Sequence, residues 1–478
     1  MEMDHPETLG WLKDALAEET VGLRLHHHHL EWSWKRITTD SREAGEGDVF
    51  VAIPGERFDG HDYAKKASEA GAVCLVVEHE IHGADAAQII VRNARRALAR
   101  IARAWRARFS CNLTAVGGSN GKTTTTQMVA AILRRRWGAD EMLATEGNFN
   151  NDIGVSHTLM GLRFRHRAAV VEAGMNHRGE MAVLADMIRP TVAVLTNAQR
   201  EHQAFLETVA ETASENGLLI AALPESGHAV FPADDPCSDI WASLALARGV
   251  KSFTFSFDPA VPADLMCRLD ADGALALEGE RESFQIALRI AGLHNARNAA
   301  AAAAAALIQD IDPEVIREAL ESFEALPGRG ARLHAAERFG GATLIDDAYN
   351  CNPDSAIASL RMLAREKAPR IFIFGDMAEL GPSSEKWHAE VGAEAKRLGI
   401  DYFWTAGEKA RAGALAFGID GDRCRAFRDR DELIDALREL RADGGTIVVK
   451  PQRGILEDRG CAQRQITDFL RGKEFLDI

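Results

Sequence analysis

The clearest periodic signal lies a quarter of the way along the chain. An apolar run at 113–116 reads as a short buried strand. Residues 127–136 have helical spacing, with Met128, Val129, Ile132 and Leu133 on one side. Apolar runs at 168–171, 192–195 and 229–231 predict further strands. Residues 251–290 predict short strands with turns at Asp258-Pro259 and Asp272-Gly273, and an alanine run at 299–306 predicts a close-packed helix. On the N-terminal side, strand character at 33–38, 48–53, 73–77 and 89–91 alternates with helical stretches at 63–70 and 95–109. Beyond residue 329 the alternation is regular: strands at 343–345, 370–374, 402–405 and 446–450, helices at 354–366, 385–398, 408–417 and 430–441. This pattern predicts an α/β protein of three domains: a small α/β domain at 1–108, a central α/β domain with a mostly parallel sheet at 109–325, and a C-terminal, doubly wound Rossmann-like domain at 326–478.

Composition changes this picture little. A hydrophobic content of 46% and a charged content of 27% over 478 residues fit a soluble globular chain of that size. The net charge of −15 argues against a nucleic-acid partner, so an anionic substrate must be held by local arginines, lysines and amides. The seven cysteines are scattered without a C-x-x-C pair, which predicts reduced thiols rather than a zinc site or disulfide framework. The alanine run is too short to span a bilayer, and Met1-Glu2-Met3-Asp4 does not begin an apolar leader. The expected location is cytoplasmic, without membrane insertion, and a monomer is the expected state.

The chemistry is carried by the link between the first strand and helix, Gly118-Ser119-Asn120-Gly121-Lys122-Thr123-Thr124-Thr125. Strand, glycine turn, Gly-Lys-Thr and helix form a phosphate-binding loop (P-loop). Glycines let backbone N–H groups approach phosphate oxygens, and the helix start adds positive charge. Lys122 is placed to reach the outer phosphates and the Thr123 hydroxyl to hold Mg²⁺. Val116 stands where the longer P-loop pattern has glycine, so this is a shorter form. Glu172 closes the next apolar strand, where a Mg²⁺ ligand beside a P-loop belongs. His202 lies just past another strand end and is either a ligand or structural. The segment 145–154, with Asn148, Asn150 and Asn151, is rich in hydrogen-bonding side chains and suits ligand contact. Thr39-Asp40-Ser41-Arg42 is either an anion grip or simple turn chemistry. Asn295 either reads a base edge or caps the alanine helix. His26 to His29 cannot all point one way and read as solvent-exposed, without a ligand role.

Taken together these segments resemble the Mur ligases, the ATP-dependent amide-forming enzymes of peptidoglycan precursor synthesis. The resemblance covers nearly the whole chain. It rests on Thr39 to Arg42, Phe58 to Asp62, Gly118 to Thr124, Gly147 to Asn151, Glu172 to Glu180, Gly292 to Asn298, Asp346 to Pro353 and Gly375 to Gly381. It implies ATP and Mg²⁺, with Lys122, Glu172 and His202 catalytic and Thr123, Glu172 and His202 on the metal. It places Gly118 to Thr124, Asn295 and Arg329 on the nucleotide. Ser41 and Arg42 fall near a uridine diphosphate, and Asp347, Tyr349 and Asn350 at the nucleotide or acceptor side. Within the family, Asn148-Phe149-Asn150-Asn151 and Tyr349-Asn350-Cys351-Asn352-Pro353 are similar to the member that joins UDP-MurNAc-tripeptide to D-Ala-D-Ala. A sibling that adds diaminopimelate or lysine, and a nucleotide-binding protein without ligase chemistry, are the alternatives.

Two departures from the family stand out. Asn216 occupies the position of a lysine that is carbamylated by CO₂ in most members, so either Glu215 or a water replaces the carbamate or the second metal is held more weakly. Lys450-Pro451-Gln452-Arg453 stands where the family has Lys-Gly-Ser-Arg, and Pro451 removes a backbone donor there.

Overall fold

The computed structural model describes residues 7–55, 58–280, 282–450 and 461–472. The departures at Pro451 and Gln452 lie outside the described residues. Three large sheets organise the chain, of five, nine and six strands, beside a two-stranded pairing of Glu7–Thr8 with Ser33–Trp34. The five-stranded sheet runs Thr20–Arg24, Ala87–Val91, Cys74–Val77, Asp48–Val51, Arg36–Thr38, parallel except at its first pair. The six-stranded sheet runs Ala331–His334, Thr343–Asp346, Thr446–Lys450, Arg370–Gly375, Tyr402–Ala406, Cys424–Phe427, again with one antiparallel pair at the edge. The fold is a three-domain α/β architecture with mostly parallel sheets.

The nine-stranded sheet holds the centre. Its parallel part is Met142–Ala144, Ala168–Glu172, Asn112–Gly117, Val192–Leu195, His228–Pro232, Lys251–Ser256 and Leu265–Leu269. Two antiparallel strands, Ala274–Gly279 and Ser283–Ala287, extend one edge. The inner strands are apolar on both faces, as a sheet covered by helices on both sides requires. Val116, Val170, Val194 and Val230 point into one core, with the helices Lys122–Trp137 and Leu293–Leu307. Leu113, Ala115, Val171 and Leu195 point into the other.

The alanine helix Leu293–Leu307 packs directly on the P-loop helix, and Ala299 to Ala305 are fully buried. Small side chains let the two backbones approach closely, so added volume has nowhere to go. Ala302→Leu is expected to lower stability by about 1–3 kcal/mol through overpacking, read as an earlier midpoint in urea unfolding.

Several elements depart from the pattern-based expectation. The segment 145–154 is not a plain loop: Asn151 caps the helix Asp152–Met160 by accepting from the Gly154 N–H. Strands Met142–Ala144 and Cys424–Phe427, and helices Glu180–Ile188, Val209–Asn216 and Ser238–Arg248, carry no strong period. The histidine run forms a short 3-10 turn, His27–Glu31, with the His26 and His28 rings stacked, His28 edge-on to His29 and His29 tilted against Trp32 at the surface.

Candidate active site

Strand register builds the site. In the central sheet Glu172 pairs with Val116 and Leu195 with Gly117. The carboxyl ends of three neighbouring parallel strands therefore deliver the P-loop, Glu172 and the segment from Thr196 to His202 to one edge, where open α/β sheets take ligands. In the C-terminal sheet Asp346 pairs with Val449 and Phe374 with Lys450, so Asp347, Lys450 and the loop 375–381 meet at its carboxyl edge. The two edges face each other across a cleft of about 1500 Å³.

Gly118 and Gly121 have φ of +114° and +84°, in the left-handed region. A Cβ on Gly118 would sit 2.8 Å from the Thr196 nitrogen, and one on Gly121 would run into the Asn298 amide. The loop is pinned from behind. Gly118 N–H donates to Asn216 Oδ1 (3.2 Å), Ser119 N–H to the Asn197 carbonyl (3.0 Å) and Asn120 N–H to Asn197 Oδ1 (2.9 Å). Those three donors shape the loop instead of facing the cleft, which narrows the expected phosphate cradle to the helix start. There, Gly121 is the N-cap and has no side chain to offer the first turn. The orphan N–H groups of an uncapped helix N-terminus fit an anion.

Lys122 folds back onto its own loop. Its ammonium donates to the carbonyls of Gly118 (2.7 Å) and Ser119 (2.9 Å) and to Glu201 Oε2 (3.2 Å). Glu172 is 1% exposed. Its Oε1 accepts from Asn150 Nδ2 at 2.7 Å, while Oε2 is buried without a hydrogen-bond partner. A buried carboxylate oxygen left bare on the cleft wall fits a divalent cation, whose charge would supply the missing partner. His202 has φ of +50°, and its Nδ1 meets the carboxylate of Glu379 from the C-terminal domain. A carboxylate only accepts, so Nδ1 donates to it and Nε2 is the ring nitrogen left for a metal. The hydrogen bond from His202 holds the Glu379 carboxyl below its usual range.

Contacts across the cleft were not visible in the sequence. Arg200 donates to Asp354 (2.6 Å) and Glu390 (2.8 Å) and lies over the Trp387 ring. Burial pulls its pKa down, but the two carboxylates outweigh that and raise it. Asn120 and Asn352 exchange side-chain hydrogen bonds at 3.2 and 2.9 Å. On the C-terminal side Lys450 pairs with Asp347 Oδ2 (2.7 Å) and the Asn350 carbonyl (3.2 Å), and Ser359 also donates to Asp347. The guanidinium of Arg329 stacks 3.8 Å from the centre of the Tyr349 ring, a flat surface on the cleft wall. Burial pushes the neighbouring Cys351 thiol up to about 12, so it stays protonated and is no nucleophile.

Asn148, Asn150, Asn151, Asn295, Arg329, Asp347, Tyr349 and Asn350 all line the cleft with the P-loop, Glu172 and His202. Asn295 is not the helix cap. It sits inside the first turn, donating to the Ala291 carbonyl at 2.8 Å. Ser41 and Arg42 are absent from the cleft lining. Arg42 is exposed and folded onto Asp40, whose carboxyl it lowers to about 2, and the loop is tied to the central domain by Thr39 Oγ1 and His157 Nε2 at 3.1 Å. The N-terminal domain instead presents Asn93, Arg95 and Arg96 to the cleft. Glu215 does not replace a carbamate: it accepts from the Gly179 (2.6 Å) and Met181 (3.3 Å) N–H groups at the start of another helix.

Three α/β domains meeting at one cleft around a P-loop are the arrangement expected of an ATP-dependent ligase. Comparison with known proteins agrees. Residues 34–106 match the model described as "Mur ligase family, catalytic domain", 116–306 the "Mur ligase middle domain", and 328–453 the "Mur ligase, glutamate ligase domain". The UDP-N-acetylmuramoyl-tripeptide--D-alanyl-D-alanine ligase of Escherichia coli (strain K12) is 34% identical, over 93% of this chain and 95% of that one. The protein of the same name from a Synechocystis strain is 31% identical, over 88% and 89%. A crystal structure of MurF from Acinetobacter baumannii superposes with a TM-score of 0.86 at 28% identity, covering 98% of this chain and 99% of that one. The chain belongs to the Mur ligase family.

Proposed function

We propose that this protein joins the terminal carboxylate of UDP-MurNAc-tripeptide to the amine of D-Ala-D-Ala, at the cost of ATP, giving the UDP-MurNAc-pentapeptide for peptidoglycan synthesis in the cytoplasm. The observation that carries the reading is the meeting of three things in one cleft: an uncapped P-loop helix with Lys122, the bare carboxylate oxygen of Glu172, and the Asp347–Lys450 edge of the C-terminal domain. The tripeptide carboxylate attacks the γ-phosphorus of ATP and ADP leaves. The amine then adds to the acyl phosphate, and the tetrahedral adduct expels phosphate and loses a proton to leave the amide.

Two anions must meet in the first step. Lys122 leaves the Gly118 and Ser119 carbonyls for the outer phosphates and offsets part of that repulsion. Thr123, Glu172 and His202 are the residues that would hold Mg²⁺, which when bound neutralises and orients phosphate oxygens. Gly118 to Thr124 shape the triphosphate pocket, and Asn295 and the Arg329–Tyr349 stack take the adenine nucleotide. Asn148, Asn150 and Asn151 fall to the peptide substrate. Asp347, Tyr349 and Asn350 belong to the acceptor side, and Ser41 and Arg42 to the uridine diphosphate once Arg42 releases Asp40. Contacts from Arg200 and Glu379 close the cleft and exclude the water that would hydrolyse the acyl phosphate.

An acceptor panel tests this. Phosphate release from Mg-ATP is expected only when UDP-MurNAc-tripeptide and D-Ala-D-Ala are both present. Turnover with free diaminopimelate or lysine would move the protein to a sibling reaction, and nucleotide binding without turnover under any acceptor would leave a binding protein.

A further inference from the structure

Asn216 supplies no anion where the resemblance implies a carbamylated lysine, and it and its neighbour Glu215 are both committed elsewhere. Asn216 is 1% exposed; its Oδ1 accepts from Gly118 N–H and its Nδ2 donates to the Thr212 carbonyl (3.1 Å). It is neutral and holds up the P-loop. Glu215 caps a different helix. A different carboxylate already stands in the cleft. Glu201 is 7% exposed, and its Oε2 lies 3.2 Å from Lys122 Nζ and 3.9 Å from His202 Nε2.

We propose that Glu201 is a ligand of the cation held by Glu172 and His202, supplying the negative charge that a carbamylated lysine supplies in other members of the family. This rests on the ligase reading above and goes beyond it by naming the third protein anion. Three features carry it. First, the unpartnered Oε2 of Glu172, nine-tenths buried and more, marks a cation position on this wall independently of Glu201. Second, Glu379 engages Nδ1 of His202, so Nε2 is the ring nitrogen left for a metal, and it is the one beside Glu201. Third, adjacent ligands of an octahedral Mg²⁺ with Mg–O of about 2.1 Å stand roughly 3 Å apart. The 3.9 Å between Oε2 and Nε2 closes to that with a small side-chain shift. Lys122 occupies Oε2 in this state, and its move to the phosphates frees the oxygen as nucleotide and metal arrive. The same carboxylate thus serves as counter-ion for the lysine first and for the cation afterwards.

The test titrates Mn²⁺ into the full-length protein with a non-hydrolysable ATP analogue, followed by electron paramagnetic resonance, with no acceptor or peptide substrate present. Its outcome is therefore independent of which amine the enzyme uses. Wild type is expected to bind Mn²⁺ at the Thr123, Glu172 and His202 position with an affinity unaffected by bicarbonate. Glu201→Gln is expected to weaken Mn²⁺ binding there by about 10- to 100-fold, while Glu215→Gln matches wild type. Should the amide variant not fold, as judged by its thermal melt, Glu201→Ser carries the same expectation. Unchanged Mn²⁺ affinity in the Glu201 variant would make Glu201 merely a partner of Lys122 and overturn the proposal. Bicarbonate-dependent strengthening of the wild-type site would overturn it too, because the anion would then be a carbamate.

Discussion

Lys122→Ala is expected to cut phosphate release at saturating substrates by about 10³-fold or more. The size follows from what the side chain does in both states. Before nucleotide binds, the ammonium satisfies two loop carbonyls and neutralises Glu201 in a poorly exposed place. With triphosphate present it is the only cation supplied by the P-loop motif Gly118 to Thr124. Its loss removes charge stabilisation from the transferring phosphoryl group and leaves the Glu201 carboxylate facing incoming phosphate, two penalties of the same sign. Lys122→Arg is not expected to rescue activity. A planar guanidinium cannot occupy the tight turn between two backbone carbonyls that a compact ammonium fills. The melting temperature, measured alongside, separates lost chemistry from lost fold. Activity within tenfold of wild type would remove Lys122 from the reaction.

Glu172→Gln is expected to lower turnover by roughly 10²- to 10³-fold while leaving the ligand-free protein at least as stable. Glutamine keeps an oxygen to accept from Asn150 Nδ2. It replaces a buried carboxylate oxygen that has no partner with a neutral group, and removing an uncompensated buried charge is often stabilising. The cation position then faces N–H donors and loses its charge. The paired readout is the melting temperature with and without magnesium and a nucleotide analogue. Wild type should gain stability from the pair by ligand linkage, and Glu172→Gln should lose most of that gain. A variant that melts early without ligand but keeps the magnesium-dependent gain would make Glu172 a structural residue.

Much of the site was legible because local patterns and the parallel-sheet rule point the same way. The strand before Gly118 and the helix after it have different hydrophobic periods, and glycine sits where a side chain would strike Thr196 or Asn298. Glu172 was found from its place at a strand tip, and register alone carries it to the P-loop. Residues whose role comes from another loop were not legible. Glu201, Arg200 and Glu379 look like ordinary surface charges in the chain; Arg200 and Glu379 find their partners only across the cleft, and Glu201 finds its own in the distant P-loop lysine. The orientation of Glu215 was missed for a related reason: on a helix, neighbouring residues face apart, so a carboxylate one position from Asn216 cannot share its environment. Short elements without β-branched runs, such as Cys424–Phe427, exist because a neighbouring strand pairs with them.

Isotope transfer tests the central claim most directly. UDP-MurNAc-tripeptide labelled with ¹⁸O in its terminal carboxylate should pass one labelled oxygen to the inorganic phosphate in each turnover with ATP and D-Ala-D-Ala, because the bridging oxygen of an acyl phosphate leaves with phosphorus. Unlabelled phosphate accompanied by amide formation would contradict the account.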